Sequence, residues 1–238
     1  MFDKIVDSFA IILKNIEIQS QIKEGGLNLA EAILMQDPFA GINAAKNLGK
    51  SVVAARDAIF WDKCQRYLMG TFHSQEDQER WTSKFDESNQ SYKAFVKRTM
   101  QVIDQLDDDQ KVDYFANLTK SYLYEELDKE LYFRLAKFLS MSTSEELLYI
   151  SQCHEFGKYQ KNAMISLLYR NGLFDQDVDD KSITTYVLSD YAKALKQHSL
   201  NYNDNFRGLK KLGSYADLKP LEISEAATWD EINNVIQF

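Results

Sequence analysis

The sequence predicts a mostly α-helical protein in which a helical bundle is followed by a small winged-helix-like module of helices and strands. Nine Gly and two Pro among 238 residues suit long helices and poorly suit an all-β sandwich. Apolar residues recur at three- and four-residue intervals over much of the first 140 residues, which is the spacing of amphipathic helices. Residues 157–200 then follow the order helix, strand, acidic turn, strand and helix, which is typical of a winged helix.

The N-terminal segment is predicted to form an amphipathic helix. Its apolar stripe consists of Phe2, Ile5, Val6, Phe9, Ile12, Leu13 and Ile16. A stripe of this kind either packs into a core or lies in a membrane interface. Core packing is favoured, because Asp3, Asp7 and Glu17 outnumber the two nearby lysines and weaken any attraction to anionic lipid.

Further helices are predicted along the bundle, which is expected to span residues 1–140. Ser74 and Asp77 have the spacing of a capping box and mark the start of a charged helix. Asp, Ser and Thr residues suited to helix N-caps precede the later helices. The ranges expected for these helices are 91–106, 109–124, 128–139 and 144–154.

The winged-helix-like module is expected to span residues 141–200. A helix is predicted from Lys158 to Arg170, and the following Asn171 and Gly172 can adopt the left-handed conformation that ends a helix. A short strand then begins at Phe174. The polar run 175–181 cannot be buried, whereas the β-branched and aromatic residues that follow it predict a second strand.

The last segment, residues 201–238, is predicted to be a tail that ends in a short amphipathic helix. Trp229 and Ile232 belong to its apolar edge, and a capping-box pattern begins at Thr228. An isolated short helix is unstable unless its apolar edge is buried. We therefore expect this segment to dock on its own domain, on a partner or on a second copy. Exchange of the helix between two copies requires little new surface, which predicts a homo-oligomer whose contacts include this segment.

Charge and cysteine content indicate the compartment and the kind of partner. The formal net charge of −8 disfavours indiscriminate attachment to nucleic acid or to anionic lipid. Cys64 and Cys153 do not make a disulfide framework, so reduced thiols are expected. The sequence lacks the pattern of a secretory leader or of a membrane-spanning helix, and the expected location is cytoplasmic.

The acidic turn resembles part of a calcium-binding loop but fails its requirements. Asp175, Asp177 and Asp179 alternate as the first ligands of such a loop would. Asp180 occupies the position that needs glycine, and Tyr186 the position that needs a bidentate glutamate. A solvated turn is therefore favoured over a calcium site.

No other pattern predicts a metal, a cofactor or a catalytic residue. Cys153, His154 and Glu155 are consecutive, but adjacent residues point in different directions, and no second His or Cys lies at ligand spacing. The sequence contains no glycine-rich phosphate loop, no Gly-x-Ser-x-Gly elbow and no His-Glu-x-x-His motif. We expect a protein without enzymatic activity and without a cofactor.

The charge of the module favours a protein partner over DNA. Between Met141 and Asp190 there are eight acidic and four basic residues, and a phosphate backbone attracts cations. Winged helices also serve as protein-docking modules, which an acidic wing suits better. The residues expected to contact a protein partner are Asp175, Asp177, Asp179, Asp180, Trp229 and Ile232.

Two alternatives remain open. In a winged-helix DNA-binding regulator, Lys158, Lys161 and Arg170 would meet phosphate from the predicted helix that contains them. In a peripheral membrane protein, the N-terminal apolar stripe would lie in the membrane interface without spanning the bilayer.

Three motifs followed by the winged-helix-like module resemble a group of small bacterial and phage proteins of unassigned function. These motifs are Trp61-Asp62-Lys63-Cys64-Gln65-Arg66-Tyr67-Leu68, then Lys111…Tyr114…Ala116…Leu118…Tyr122, and then Phe133-Arg134-Leu135. The resemblance covers residues 53–200. It implies a setting of mobile elements and phage–host conflict, and it carries over no catalytic residue.

Overall fold

The computed structural model describes residues 2–24, 51–85, 90–178 and 182–203. In this part of the chain nearly all regular structure is helical, and the sheet consists of two antiparallel strands. The predicted mostly α-helical class is therefore confirmed. Asp179, Asp180 and the tail residues Trp229 and Ile232 lie outside the described residues.

The elements follow one another in the order expected for a bundle with a small sheet near its end. They are α1 (Phe2–Ile12), α2 (Ile16–Lys23), α3 (Ser51–Thr71), α4 (Gln75–Lys84), α5 (Gln90–Gln105), α6 (Asp109–Leu123), α7 (Lys129–Met141), α8 (Ser144–Gln152), α9 (Ala163–Arg170), β1 (Phe174–Val178), β2 (Thr184–Leu188), α10 (Asp190–Leu195) and a π-helical turn (Lys196–Leu200).

The predicted starts of α4, α6, α7 and α8 agree with the structure because side chains cap them locally. Ser74 and Asp77 form the predicted capping box at α4. The side chains of Asp108, Asp128 and Thr143 accept backbone N–H groups at the starts of α6, α7 and α8. The four ranges predicted for α5 to α8 match the observed helices to within two residues at each end.

The helix predicted from Lys158 to Arg170 is wrong over its first five residues. The Asn162 side chain accepts a hydrogen bond from the backbone N–H of Ile165, so α9 begins only at Ala163. Tyr159 is instead extended and bonded to Tyr186, with its N–H and C=O groups paired at 2.8 and 2.9 Å. The predicted stop is confirmed, since Gly172 follows α9 with φ of +76°.

Aromatic rings fill the core between α4, α5, α6 and α7. Phe95 lies at the centre, with its ring centroid 5.5 Å from that of Tyr122, 5.7 Å from Tyr132 and 5.9 Å from Trp81. Each of these four side chains is less than a tenth exposed. The dense aromatic residues of the sequence therefore serve mainly as core.

The N-terminal apolar stripe packs into the same core. Val6, Phe9, Ile12 and Leu13 are buried, whereas Ile16 is 45% exposed. The side chains of Phe2 and Ile5 lie outside the described part of the stripe. Core packing is confirmed for the four buried residues. Among the described residues, no helix is both long enough and apolar enough to cross a membrane.

The π-helical turn joins the end of the described chain to α6. Ser199 Oγ donates to the carbonyl oxygen of Tyr114 at 2.8 Å, and Asn117 Nδ2 donates to the carbonyl oxygen of Ser199 at 3.2 Å. His198 Nδ1 lies 3.2 Å from Glu126 Oε2, and both side chains are about nine-tenths buried. These contacts attach residues 196–200 to the bundle. The predicted division of the chain into two parts at residue 140 stays a prediction.

Candidate interaction surface around the hairpin

Three extended segments lie side by side near the end of the described chain. β1 and β2 pair antiparallel, with Phe174 opposite Leu188 and Val178 opposite Thr184. Tyr159 pairs with β2 through Tyr186 on the other side. β2 is therefore central, and in the described part of the chain β1 is an edge strand.

The two faces of the hairpin differ in burial and charge because side chains alternate along a strand. Phe174, Tyr186 and Leu188 are buried on the inner face. The ring of Phe174 lies 5.8 Å from that of Tyr159, which anchors this face. Asp175 and Asp177 lie together on the outer face, where Asp175 is exposed.

Asp177, which is expected to contact a protein partner, forms an ion pair with Lys158, which the alternative assigns to DNA phosphate. Lys158 Nζ lies 2.7 Å from Asp177 Oδ2, and the two side chains are 59% and 39% exposed. An ion pair this exposed contributes about 1 kcal/mol or less. Lys161 and Arg170 are exposed at the two ends of the α9 region. The structure therefore brings Asp175, Asp177 and Lys158 together.

Helix α9 presents two large apolar side chains and one cationic side chain, that of Arg170, to solvent. Ile165 and Leu168 are buried against the module, whereas Leu167 is 43% and Tyr169 42% exposed. The Tyr169 ring also contacts the Tyr186 ring, with centroids 5.5 Å apart. Arg170 is the one basic residue of the helix.

Large exposed apolar side chains concentrate in the predicted module. Within the described ranges, those between residues 141 and 200 are Met141, Leu148, Phe156, Leu167, Tyr169, Val178 and Ile183. Phe156 is the most exposed of these side chains at 78%. In the hairpin, Val178 is 57% exposed. Concentrated exposed apolar surface is typical of sites that bind another macromolecule.

A pocket between α3 and α6 is built around an ion-pair network. The pocket has a volume of about 580 Å³ and is lined by Asp62, Gln65, Arg66, Met69, Gly70, Phe72, His73 and Asp113. Arg66 donates to both carboxylate oxygens of Asp113 at 2.7 Å and to Asp109 at 3.4 Å. The guanidinium is thereby engaged in joining α3 to α6.

The strongest pKa shifts belong to core residues. Burial raises the pKa of Tyr67 to about 12. Burial is also the main cause that raises the pKa of Tyr132 well above its ordinary value, and the proximity of Tyr67 is the second cause. Both hydroxyls lie 3.0 Å from Thr119 Oγ1. Burial also raises the pKa of Cys64. All three groups are fully buried in the core.

The residues described by the structure contain no group of three or more His, Cys, Asp or Glu side chains arranged to hold a metal. Of the consecutive Cys153, His154 and Glu155, the first is buried and the others are exposed. His154 Nδ1 accepts the backbone N–H of Phe156 at 3.3 Å, which is a local turn contact.

Sequence reasoning missed two features of this region. The extended conformation of Tyr159 had one local signal, the alternation of Lys158, Tyr159 and Gln160, which suits a strand as well as a helix. The contact between His198 and Glu126 had none, because the residues are far apart in the sequence.

The chain matches no known protein family, no curated protein and no solved structure. The surface is therefore interpreted from its own residues.

Proposed function

We propose that this is a non-enzymatic protein that works by binding another protein through its C-terminal module, residues 141–200. The observation that carries the proposal is the surface of α9, which exposes Leu167 and Tyr169 and has one basic residue. Exposed aromatic and aliphatic side chains are the usual anchors of protein interfaces. A winged-helix-like arrangement of α8, α9 and the hairpin is the finer part of this proposal.

A DNA-binding regulator is the second candidate, favoured by the order of elements in the module. In such proteins the helix before the wing enters the major groove and needs cations for the phosphates beside it. Here Lys158 contacts Asp177, and the outer face of the hairpin carries Asp175. These acidic groups support the protein-binding proposal over this alternative.

Affinity capture with matched surface variants tests the proposal. The tagged full chain is used as bait in a lysate of cells that naturally encode it, and captured proteins are quantified by mass spectrometry. The test variant is Leu167→Ser with Tyr169→Ser. The control is Ile59→Ser with Met69→Ser, which changes two similarly exposed apolar side chains of α3.

We expect a protein that the unchanged chain and the α3 control capture, and that the α9 variant loses at least about tenfold, since interface anchors are worth about 1–2 kcal/mol or more. Capture that is identical for all three baits contradicts the proposal. Binding of duplex DNA that falls steeply with salt and weakens in Lys161→Glu would instead favour the DNA-binding regulator.

The resemblance to proteins of mobile elements adds a setting to this proposal. In phage–host conflict the partner would be a host or phage protein, and the cytoplasm would be the compartment. The genes that neighbour this coding sequence test the setting directly. Housekeeping operons on both sides in every genome that carries the gene would contradict it.

A further inference from the structure

Among the described residues, β1 has one hydrogen-bonding edge with which no strand pairs, and the polarity of this edge follows from the pairing of β2. The N–H and C=O groups of Tyr186 both bond to Tyr159. Because these groups alternate between the two edges of a strand, the neighbouring residues Thr185 and Val187 direct theirs toward β1. Their partners there are Asp177 and Asp175. The Leu173 carbonyl, two residues before Asp175, accepts from Ser189, which agrees with this polarity.

The remaining residues of β1 therefore direct their backbone groups away from β2. These are Phe174, Gln176 and Val178, whose side chains lie on the inner face. The side chain of Phe174 is buried, whereas those of Gln176 and Val178 are exposed. Among the residues that the structure describes, no strand pairs with this edge. An unpaired edge of this kind is a template for a strand from another chain.

Side chains beside the edge define what kind of strand fits it. Asp175 and Asp177 line the outer face, and Val178 is 57% exposed on the inner face. A strand added to β1 would place alternate side chains opposite these two kinds of residue. Cations opposite the aspartates and apolar groups opposite Val178 would complement both faces.

We propose that the module binds its partner by strand addition, and that the partner supplies an extended segment in which basic and apolar residues alternate. The segment pairs with β1 through the backbone groups of Gln176 and Val178. Its basic side chains meet Asp175 and Asp177. The inference rests on the proposed protein-binding function and names the chemistry of the partner.

A second copy of β1 fits this edge poorly. Antiparallel pairing of two copies centred on Gln176 would place Asp175 of each copy opposite Asp177 of the other. Like charges that face each other directly across a strand pair are destabilising. The alternating aspartates therefore select against self-pairing and in favour of a basic segment.

Amide hydrogen exchange of the full chain, measured by NMR, tests the polarity of the edge. In the protein alone, the amides of Asp175 and Asp177 should exchange slowly, and those of Gln176 and Val178 rapidly. A short peptide that alternates lysine and valine should slow Gln176 and Val178 and leave the other two unchanged. Peptide binding that leaves the exchange of Gln176 and Val178 unaltered overturns the proposal.

A matched peptide that alternates glutamate and valine tests the charge requirement. We expect it to bind at least about tenfold more weakly than the lysine peptide at low ionic strength, since two attractive charge pairs become repulsive. The double variant Asp175→Asn with Asp177→Asn should bring the two peptides to within about twofold of each other. Equal binding of both peptides to the unchanged protein overturns the proposal.

Backbone methylation of the peptide tests strand addition without altering the protein. In an antiparallel pair, residues that share a face lie opposite each other, so the valines opposite Gln176 and Val178 provide the backbone bonds. N-methylation of the valines should abolish binding, whereas N-methylation of the lysines should leave it within about threefold. Binding that survives valine methylation overturns this pairing.

Failure of this proposal can be distinguished from failure of the proposed function. If the lysine peptide does not bind but a captured protein still depends on Leu167 and Tyr169, protein binding stands and strand addition is wrong. If the peptide binds at Gln176 and Val178 but no captured protein depends on α9, the reverse holds. Dimerisation that protects both amides without peptide would overturn the proposal in favour of a second copy.

Discussion

Removal of the Tyr67 hydroxyl should change how stability depends on alkaline pH. This hydroxyl lies 3.0 Å from Thr119 Oγ1, which in turn lies 3.0 Å from the Tyr132 hydroxyl. All three residues are fully buried. Burial raises the pKa of Tyr67 to about 12 from the ordinary value of 10.0. The folded chain therefore keeps Tyr67 neutral at a pH at which the unfolded chain has ionised it.

The sign and size of the effect follow from these two pKa values. Because the pKa is higher in the folded state, the stabilisation is fully present below pH 10.0 and is lost as the pH rises toward about 12. A shift of this size corresponds to a loss of roughly 3 kcal/mol. In Tyr67→Phe this loss is absent. Below pH 10.0 the variant should be less stable by about 1 kcal/mol, since it lacks one buried hydrogen bond.

Urea denaturation followed by tryptophan fluorescence measures the difference between the two proteins at each pH. The wild-type chain should be the more stable at neutral pH and the less stable near pH 12, so the two curves of unfolding free energy against pH should cross. Tyr169→Phe is the matched control, because it removes the hydroxyl of a side chain that is 42% exposed. Parallel curves for the wild-type chain and Tyr67→Phe would refute the reasoning.

Three further stability predictions concern single backbone positions, and urea denaturation measures each. A Cβ at Gly70 would lie 2.9 Å from the Cβ of Ala116, so Gly70→Ala should cost about 1–3 kcal/mol and added Ala116→Gly should recover part of it. Gly172 has φ of +76°, so Gly172→Ala should cost about 1–2 kcal/mol. Ser74→Ala removes an N-cap acceptor and should cost about 1 kcal/mol, whereas Thr82→Ala on the exposed side of the same helix should cost less. An unfolding midpoint that a substitution leaves unchanged would contradict the prediction made for that position.

Helix boundaries could be predicted where the determining contacts are local. The side chains of Asp108, Asp128 and Thr143 bond to backbone groups two or three residues away, and those residues are visible as patterns in the sequence. The stop at Gly172 depends in the same way on one residue that tolerates positive φ. The starts of α6, α7 and α8 and the end of α9 therefore follow from local patterns, whereas the equally local Asn162 cap at the start of α9 was missed.

The error at Tyr159 has the opposite cause. Its conformation is determined by Tyr186, a residue on the far side of α9 and β1 in the sequence. Apolar residues near position 159 fit helical spacing locally, whereas the pairing with β2 holds the segment extended. The ion pair between Lys158 and Asp177 depends on that same pairing, so the sequence alone could not bring the two residues together.

Among the described residues, the predicted module exposes more large apolar side chains than the bundle: seven lie between residues 141 and 200, and four lie before residue 141. The bundle buries charged side chains with partners, as Lys111 does beside Asp107 at 2.5 Å. The module leaves large apolar side chains such as Phe156 in contact with water. Burial of a charge in the bundle must be offset by pairing, whereas exposed apolar surface becomes favourable when a partner covers it. This contrast is why the proposed binding surface is assigned to the module.

The ion pair of Lys158 with Asp177 affects the two functional hypotheses in opposite directions. A basic partner segment can replace Lys158 at little net cost, because a pair this exposed contributes about 1 kcal/mol or less. DNA would have to draw Lys158 away and would still face both aspartates. Lys158→Ala should therefore strengthen binding of the lysine–valine peptide by up to about fivefold and should not strengthen binding of duplex DNA. Lys161→Ala provides the control in both fluorescence-anisotropy titrations. If Lys158→Ala binds the peptide more weakly than this control does, the cations of the peptide do not bind at Asp177.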